Sequence, residues 1–223
     1  MKVLKFLKLP AILGIFLILI SATDASKETE RIHNSINVLK DFSQMKESIP
    51  HNLLEQYNGI VIIPHMLNAG LGIGGKHGRG VAMVKLDNGK WSDPVFIELT
   101  GGSFGFQIGV QSVDLVLVFH HSGVLTKVKN GDFTIGGDIS AAAGPVGRSS
   151  TASTDYKLEA EVYSYSRSRG LFAGVTINGS NLGIDKKANA AFYGDGTSSQ
   201  DIFASGKSTT EGVVMLKQAL ASL

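Results

Sequence analysis

The sequence has no cysteine, one tryptophan and five prolines in 223 residues. Without cysteine there is no disulfide scaffold, no thiolate metal site, no cysteine nucleophile and no lipid-modified N-terminal cysteine. The apolar run Leu9–Ile20 has 12 residues, short of the ~20 that span a bilayer. Charge of one sign is also lacking. Lys and Arg total 21 against 19 Asp and Glu, a net charge of +2. A nucleic-acid footprint needs a basic domain or stripe, so nucleic acid is not an expected partner. Hydrophobic residues make up 43% of the chain, which excludes wholesale disorder. The one residue in excess is glycine. Its 27 copies are about 12% of the chain against a usual ~7%. That excess points to tight turns, bent strands or closely packed backbone.

Residues 1–25 read as a secretory signal. Lys2, Lys5 and Lys8 precede the apolar run, and Ser21, Ala22, Thr23 and Ala25 supply small residues for cleavage after Ala25. Left uncleaved, the same segment would be a short anchor. The expected location is therefore outside the cytoplasm, periplasmic or secreted, with membrane association left open. Cleavage removes three lysines and Asp24 and leaves 18 residues of each sign. An anionic surface would then have to be recognised by a local patch. Residues 26–223 are enough for one sizeable core, and no linker interrupts them, so one domain is expected.

Ile32, Ile36, Leu39 and Phe42 recur at helical spacing and predict a helix over 27–47. Pro50 suits the start of a second, short helix, and Gly59 its stop. From residue 60 the pattern becomes that of strands. Residues 60–63 form an apolar run ended by Pro64. Further strands are predicted at 81–86, 95–99, 104–110 and 113–119, then within 133–143, 156–165, 171–177, 182–184 and 190–193. Asp87-Asn88-Gly89 supplies a hairpin turn. A closing helix is predicted over 211–220. Helices at both ends of a strand-rich middle argue for an α+β fold. The sheet is expected to be antiparallel or mixed and strongly bent, as a sandwich or barrel, because glycines inside strands mark bends or close approach.

Motifs for enzymatic chemistry are weak. Gly70-Leu-Gly-Ile-Gly-Gly75 sits in a G-x-G-x-x-G-like run, but Gly78 and Gly80 break the helix a dinucleotide needs, and a tight β turn is the plainer reading. Gly101-Gly-Ser-Phe-Gly105 comes near a nucleophile elbow but lies between strands. Ser-His-Asp triads assemble from distant positions, so counting leaves them open. Asp132 with Asp138, or Glu159 with Glu161, are carboxylate pairs that also suit a solvated face. His120 and His121 would face opposite sides of a strand, and His33, His51, His65 and His77 form no local pair. No metal site, cofactor or catalytic residue is expected. In Tyr163–Arg169, alternation puts Tyr163, Tyr165, Arg167 and Arg169 on one face. That face suits phosphate headgroups or an acidic partner, or equally an exposed edge strand with charged guards.

Several blocks occur in order: Gly59-Ile-Val-Ile-Ile-Pro64, Ala69-Gly-Leu-Gly-Ile-Gly-Gly-Lys-His-Gly-Arg-Gly80, Trp91-Ser-Asp-Pro94, Gly101-Gly-Ser-Phe-Gly-Phe-Gln-Ile-Gly109, Ala143-Gly-Pro-Val-Gly-Arg148, Tyr165-Ser-Arg-Ser-Arg-Gly-Leu-Phe-Ala-Gly174 and Tyr193-Gly194. Together they resemble the SYLF domain family, a lipid-binding module that is also an actin-binding domain in yeast proteins. The resemblance covers nearly all of residues 26–223. It implies a non-enzymatic, membrane-binding protein, with phosphoinositide preference in eukaryotic relatives that use a basic amphipathic N-terminal segment. The matching segment here carries Lys27, Arg31, Lys40 and Lys46 beside Glu28, Glu30, Asp41 and Glu47. The expected function is contact with anionic phospholipid or phosphoinositide-like headgroups at the cell envelope. The alternative is an envelope protein-interaction or structural module without a lipid ligand. Actin is not an expected partner of an exported chain. Candidate headgroup ligands are Lys76, Arg79, Arg148, Arg167 and Arg169, with glycines letting backbone N–H groups approach phosphate. Candidate membrane contacts of the N-terminal helix are Lys27, Arg31, Ile32, Ile36, Leu39, Lys40 and Phe42, although such a stripe more often packs on its own domain.

Overall fold

The structure is a computed structural model, and it describes residues 9–45, 49–126, 133–144, 160–168, 171–172 and 177–223. Helix α1 (Leu9–Ser43) contains most of the predicted N-terminal helix. Its stripe of Ile32, Ile36, Val38, Leu39 and Phe42 is buried in the core. Helix α2 (His51–Gln56) has Pro50 as its N-cap and ends at Tyr57, before Gly59. Gly59 begins β1 (Gly59–Val84), which is followed by β2 (Val95–Phe119).

These two strands have 26 and 25 residues, against a usual ~5–6. They form one antiparallel ribbon, paired from Gly59↔Phe119 to Ala82↔Val95 with two shifts of register. The separate strands expected from sequence are thus pieces of two long ones. Pro64 does not end the first run. The ladder shifts between Ile63 and Met66, so that the missing proline N–H falls inside a bulge. His65 takes a left-handed φ of 51° there, and its N–H donates to Asp114 Oδ1 at 3.0 Å. Residues 70–80 are likewise strand and not a tight turn. The ribbon curls until the two ends of β1 cross. A Cβ on Gly80 would lie 1.9 Å from the Ile62 carbonyl oxygen, and one on Gly78 would lie 2.5 Å from Ile63 Cγ2. Only glycine permits that crossing.

The second edge of β2 carries β7 (Ser180–Ile184) against residues 97–101 and β5 (Val162–Ser168) against residues 114–119. Beyond β7 lies β3 (Phe133–Ile135). Beyond β5 lie β4 (Ala141–Ala143), which is parallel to it, and β6 (Leu171–Phe172). Among the described residues the result is a seven-stranded mixed sheet, strongly bent. Both faces of the ribbon are covered. Ile60, Ile62, Val81, Met83, Phe96, Val116 and Val118 pack with α1, α2 and the closing helix α6 (Glu211–Ala221). Val61, Ile63, Ala82, Val95, Ile97, Leu115 and Leu117 pack with Leu125 of α3 (Ser122–Thr126) and with Ile202 and Phe203 of α5 (Ser199–Ala204). Burial on both faces is why these strands read as continuous apolar runs. Residues 190–193, expected as a strand, belong to helix α4 (Lys186–Tyr193). Asp185 caps it by accepting the Ala188 N–H, and Gly194, with a φ of 94°, stops it. A capping box of Ser198 and Asp201 starts α5, for which the sequence reading had no expectation. Helices therefore stand at both ends of a β-rich middle, as expected. No helix among the described residues is long and apolar enough to cross a membrane.

Candidate functional site

Residues 75–80 of β1 alternate between exposed and buried, so His77 and Arg79 face solvent while Lys76, Gly78 and Gly80 face inward. Lys76 and Arg79, grouped by their nearness in sequence, are therefore on opposite faces. Lys76 is 7% exposed, and burial lowers its pKa. On α1, Lys27, Glu30, Arg31 and Asn34 share the helix face nearest the β1 bulge. Together with Pro64, His65, Leu67, His77 and Arg79 they line an open groove of about 260 Å³. Three cationic side chains and two imidazoles line it beside the Glu30 carboxylate, and Glu28 and Asp185 stand behind the two arginines.

Arg31 is held in place. Its guanidinium lies 3.1 Å from Glu28 Oε2 and 3.1 Å from Asp185 Oδ2, and it stacks over the Phe96 ring at 5.2 Å. Arg79 is freer: its side chain is 58% exposed, with Nε 4.0 Å from Asp185. The rim also carries Leu67, 49% exposed, beside the bulge. A planar guanidinium at the mouth, a fixed one behind it and an apolar rim suit an anion with an oily neighbour.

The other candidates are placed elsewhere. Arg167 donates to Asp41 Oδ2 and Asp114 Oδ2, each at 2.6 Å, and so ties α1 to β2 and β5. Burial opposes its charge, but the hydrogen bonds to Asp114 and Asp41 outweigh this and raise its pKa. Tyr163 and Tyr165 are core residues, and β5 is flanked on both edges, so the edge-strand reading does not apply to it. Arg148 and Arg169 lie outside the described residues, as do Asp132 and Glu159. Of the helix candidates, Lys27 and Lys40 are exposed, Arg31 is half-buried, and Ile32, Ile36, Leu39 and Phe42 are in the core. The groove adds His65 and His77, which sequence reasoning passed over. Their cue was the alternation His77-x-Arg79 together with the helical spacing of residues 27, 30, 31 and 34.

Two further features stand apart. A groove of about 400 Å³ is lined by Leu54, Lys85, Lys90, Trp91, Lys217 and Leu220, among others. Two of its lysines are engaged. Lys85 donates to the Leu54 and Glu55 carbonyls and sits over Trp91, and Lys217 donates to Asp93 Oδ1 at 2.6 Å. His120 and His121 do not face opposite ways. β2 ends at Phe119, and past it the two rings come within 4.4 Å, centroid to centroid.

The family described as "Ysc84: Las17-binding protein actin regulator" matches residues 100–223. The chain is 34% identical over 164 residues to an SH3 domain-containing YSC84-like protein 1 of Xenopus laevis, a match covering 70% of this chain and 49% of that protein. Identity to the Homo sapiens protein of the same name is 33% over 163 residues, covering 70% and 47%. Identity to LAS seventeen-binding protein 3 of Saccharomyces cerevisiae is 35% over 159 residues, covering 70% and 34%. The chain spans about half the length of the vertebrate relatives and about a third of the yeast one.

Proposed function

The chain belongs to the Ysc84 (SYLF) domain family, and from that premise we propose that it is a non-enzymatic membrane-binding module that takes anionic headgroups in the groove between α1 and β1. The observation that carries this reading is the convergence of Lys27, Arg31 and Arg79 on one open groove from two elements. The chain's net charge of +2 gives little long-range pull, so recognition has to be local. In this reading the phosphate meets Arg79 and Lys27, and Leu67 lies against the acyl boundary. The leader-like residues 1–25 support work outside the cytoplasm. A second reading, a protein partner of actin-regulating type, is supported by the words in which the family and the yeast relative are described.

Co-sedimentation of the chain with vesicles of phosphatidylglycerol, phosphoinositide or phosphatidylcholine, at low and high salt, tests the proposal. The expected result is binding to the anionic vesicles that weakens with salt. Lys27→Gln with Arg79→Gln should weaken it roughly 30-fold, at about 1 kcal/mol for each basic group near the surface. Absence of binding to every vesicle, or a folded double variant that binds as tightly as the parent, would overturn it. The first of these outcomes would leave the partner reading as the favoured one.

A further inference from the structure

We propose that His120, His121 and Glu161 form a binding site for a divalent transition-metal ion of the zinc type. The site lies where the β2–β5 pairing runs out. The last pair in register is Phe119↔Val162, and the next residues on each strand are His120 and Glu161. The His120 N–H donates to the Glu161 carbonyl at 2.9 Å, which continues the ladder by one bond. With the strand ended, the chain turns into α3 and the two imidazoles fall on the same side. One ligand atom from each histidine and one from the carboxylate lie within 4.8 Å of one another.

The donor set selects the class of ion. Two imidazole nitrogens and a carboxylate oxygen suit zinc, nickel or copper, whereas calcium and magnesium take all-oxygen shells. Neutral imidazoles and one carboxylate give the site a charge opposite to that of the ion. Three protein ligands leave a fourth position for water or an outside ligand. His121 is exposed and His120 half-buried, so the ion has a way in. Glu161 Oε2 and His121 Nδ1 stand 2.9 Å apart. Two tetrahedral ligands each ~2.1 Å from a metal stand ~3.4 Å apart, so a small opening of this pair admits the ion in place of the proton they share.

The backbone carrying these ligands is held without any metal. Asn58 Nδ2 donates to the His120 carbonyl at 3.1 Å. Glu161 Oε1 accepts the His121 N–H at 2.9 Å, and the Glu161 N–H donates to Ser140 Oγ at 3.0 Å. The ring of Tyr57, itself buried, lies 5.2 Å from that of His120, and its hydroxyl donates to the Ala160 carbonyl. Only side-chain rotations remain to be ordered when an ion binds, which is the condition for a preorganised site.

Titration of the chain with Zn2+ by calorimetry, and with Co2+ by visible absorption, tests the assignment. The expected result is one equivalent of Zn2+, a tetrahedral Co2+ spectrum, and a melting temperature that rises with Zn2+. His121→Ala and Glu161→Gln should each weaken Zn2+ binding roughly tenfold or more. Glu161→Gln keeps an acceptor for the His121 N–H, and His121 is exposed, so both variants should stay folded without metal. His120→Ala also removes the contact with Tyr57, so the other two variants decide the matter. A chain with no saturable Zn2+ binding up to millimolar concentration would overturn the proposal. So would parent-like affinity in His121→Ala, or affinity that survives there but is lost when His65 and His77 are changed to Gln.

Discussion

Asn189 does the hydrogen-bonding work of a missing strand neighbour. Its Oδ1 accepts the Phe96 N–H at 2.9 Å, and its Nδ2 donates to the Phe96 carbonyl at 2.8 Å and to the Asp185 carbonyl at 2.9 Å. The side chain is buried, so water cannot replace it. Truncation to Ala orphans the buried Phe96 N–H, at ~1–3 kcal/mol, while the Phe96 carbonyl keeps the Asp185 N–H at 3.0 Å. Asn189→Ala should therefore lower stability by about 2 kcal/mol in urea unfolding, with an unchanged m-value. A loss no larger than that of an exposed substitution would refute this account. Three tyrosines make a pH-dependent contribution of definite sign. Burial, first of all, raises the pKa of Tyr57, Tyr165 and Tyr193, and neighbouring Asp93 adds to the effect at Tyr193. Tyr193 also donates to the Pro94 carbonyl at 2.6 Å. A folded-state value above the unfolded one of ~10 means that this stability is complete below pH ~10 and is lost as pH climbs past it. In an alkaline titration their tyrosinate absorbance should appear together with loss of the far-UV signal. Ionisation of all three in a chain that keeps its secondary structure would contradict the burial argument.

At the scale of elements, the β1–β2 ribbon depends on residues without a Cβ. A methyl group on Gly80 meets the Ile62 carbonyl, and backbone cannot yield as a side-chain tip can. Gly80→Ala should cost about 3 kcal/mol, at the upper end of ordinary overpacking. Gly75, five residues earlier and exposed, has only the Gly101 carbonyl at 3.9 Å near its Cβ position. Gly75→Ala should stay within about 0.5 kcal/mol of the parent. Thermal melts of the pair check this, and equal effects would mean that the crossing is not what the glycines serve. The same ribbon shows what was legible in the residues. The continuous apolar run at 60–63 and the largely apolar 113–119 disclosed strands, and the helical stripe from Ile32 to Phe42 disclosed its own burial as one of two readings. The joins were hidden, because Pro64 reads as a break and residues 70–80 as a turn when the partner strand is not in view. Arg79 could be picked out as a basic residue in a glycine run, and its separation from Lys76 followed from period two. The capture of Arg167 could not be read. Its partners Asp41 and Asp114 stand 126 and 53 residues away.

For the molecule as a whole, the question is whether α1 stays docked when a membrane is met. Ile32, Ile36, Val38, Leu39 and Phe42 are all buried against the sheet and the closing helices. At ~1.5–3 kcal/mol for each apolar side chain, their release exposes on the order of 10 kcal/mol, comparable to the whole stability of a domain. Two tethers add to this: Arg31 to Asp185, and Arg167 to Asp41. A bilayer could take up the apolar stripe, but the outward side of α1 mixes Lys27 and Lys40 with Glu30 and Asp41, which weakens its attraction to anionic lipid. The groove, by contrast, is already open with α1 in place. Binding is therefore expected to leave the helix docked and to act on the lip of the ribbon. In hydrogen exchange with anionic vesicles, amides from Ile32 to Phe42 should keep their protection, while those near His65, Leu67, His77 and Arg79 become slower to exchange. Loss of protection along Ile32–Phe42 when vesicles are added would show that the helix, and not the groove, meets the membrane.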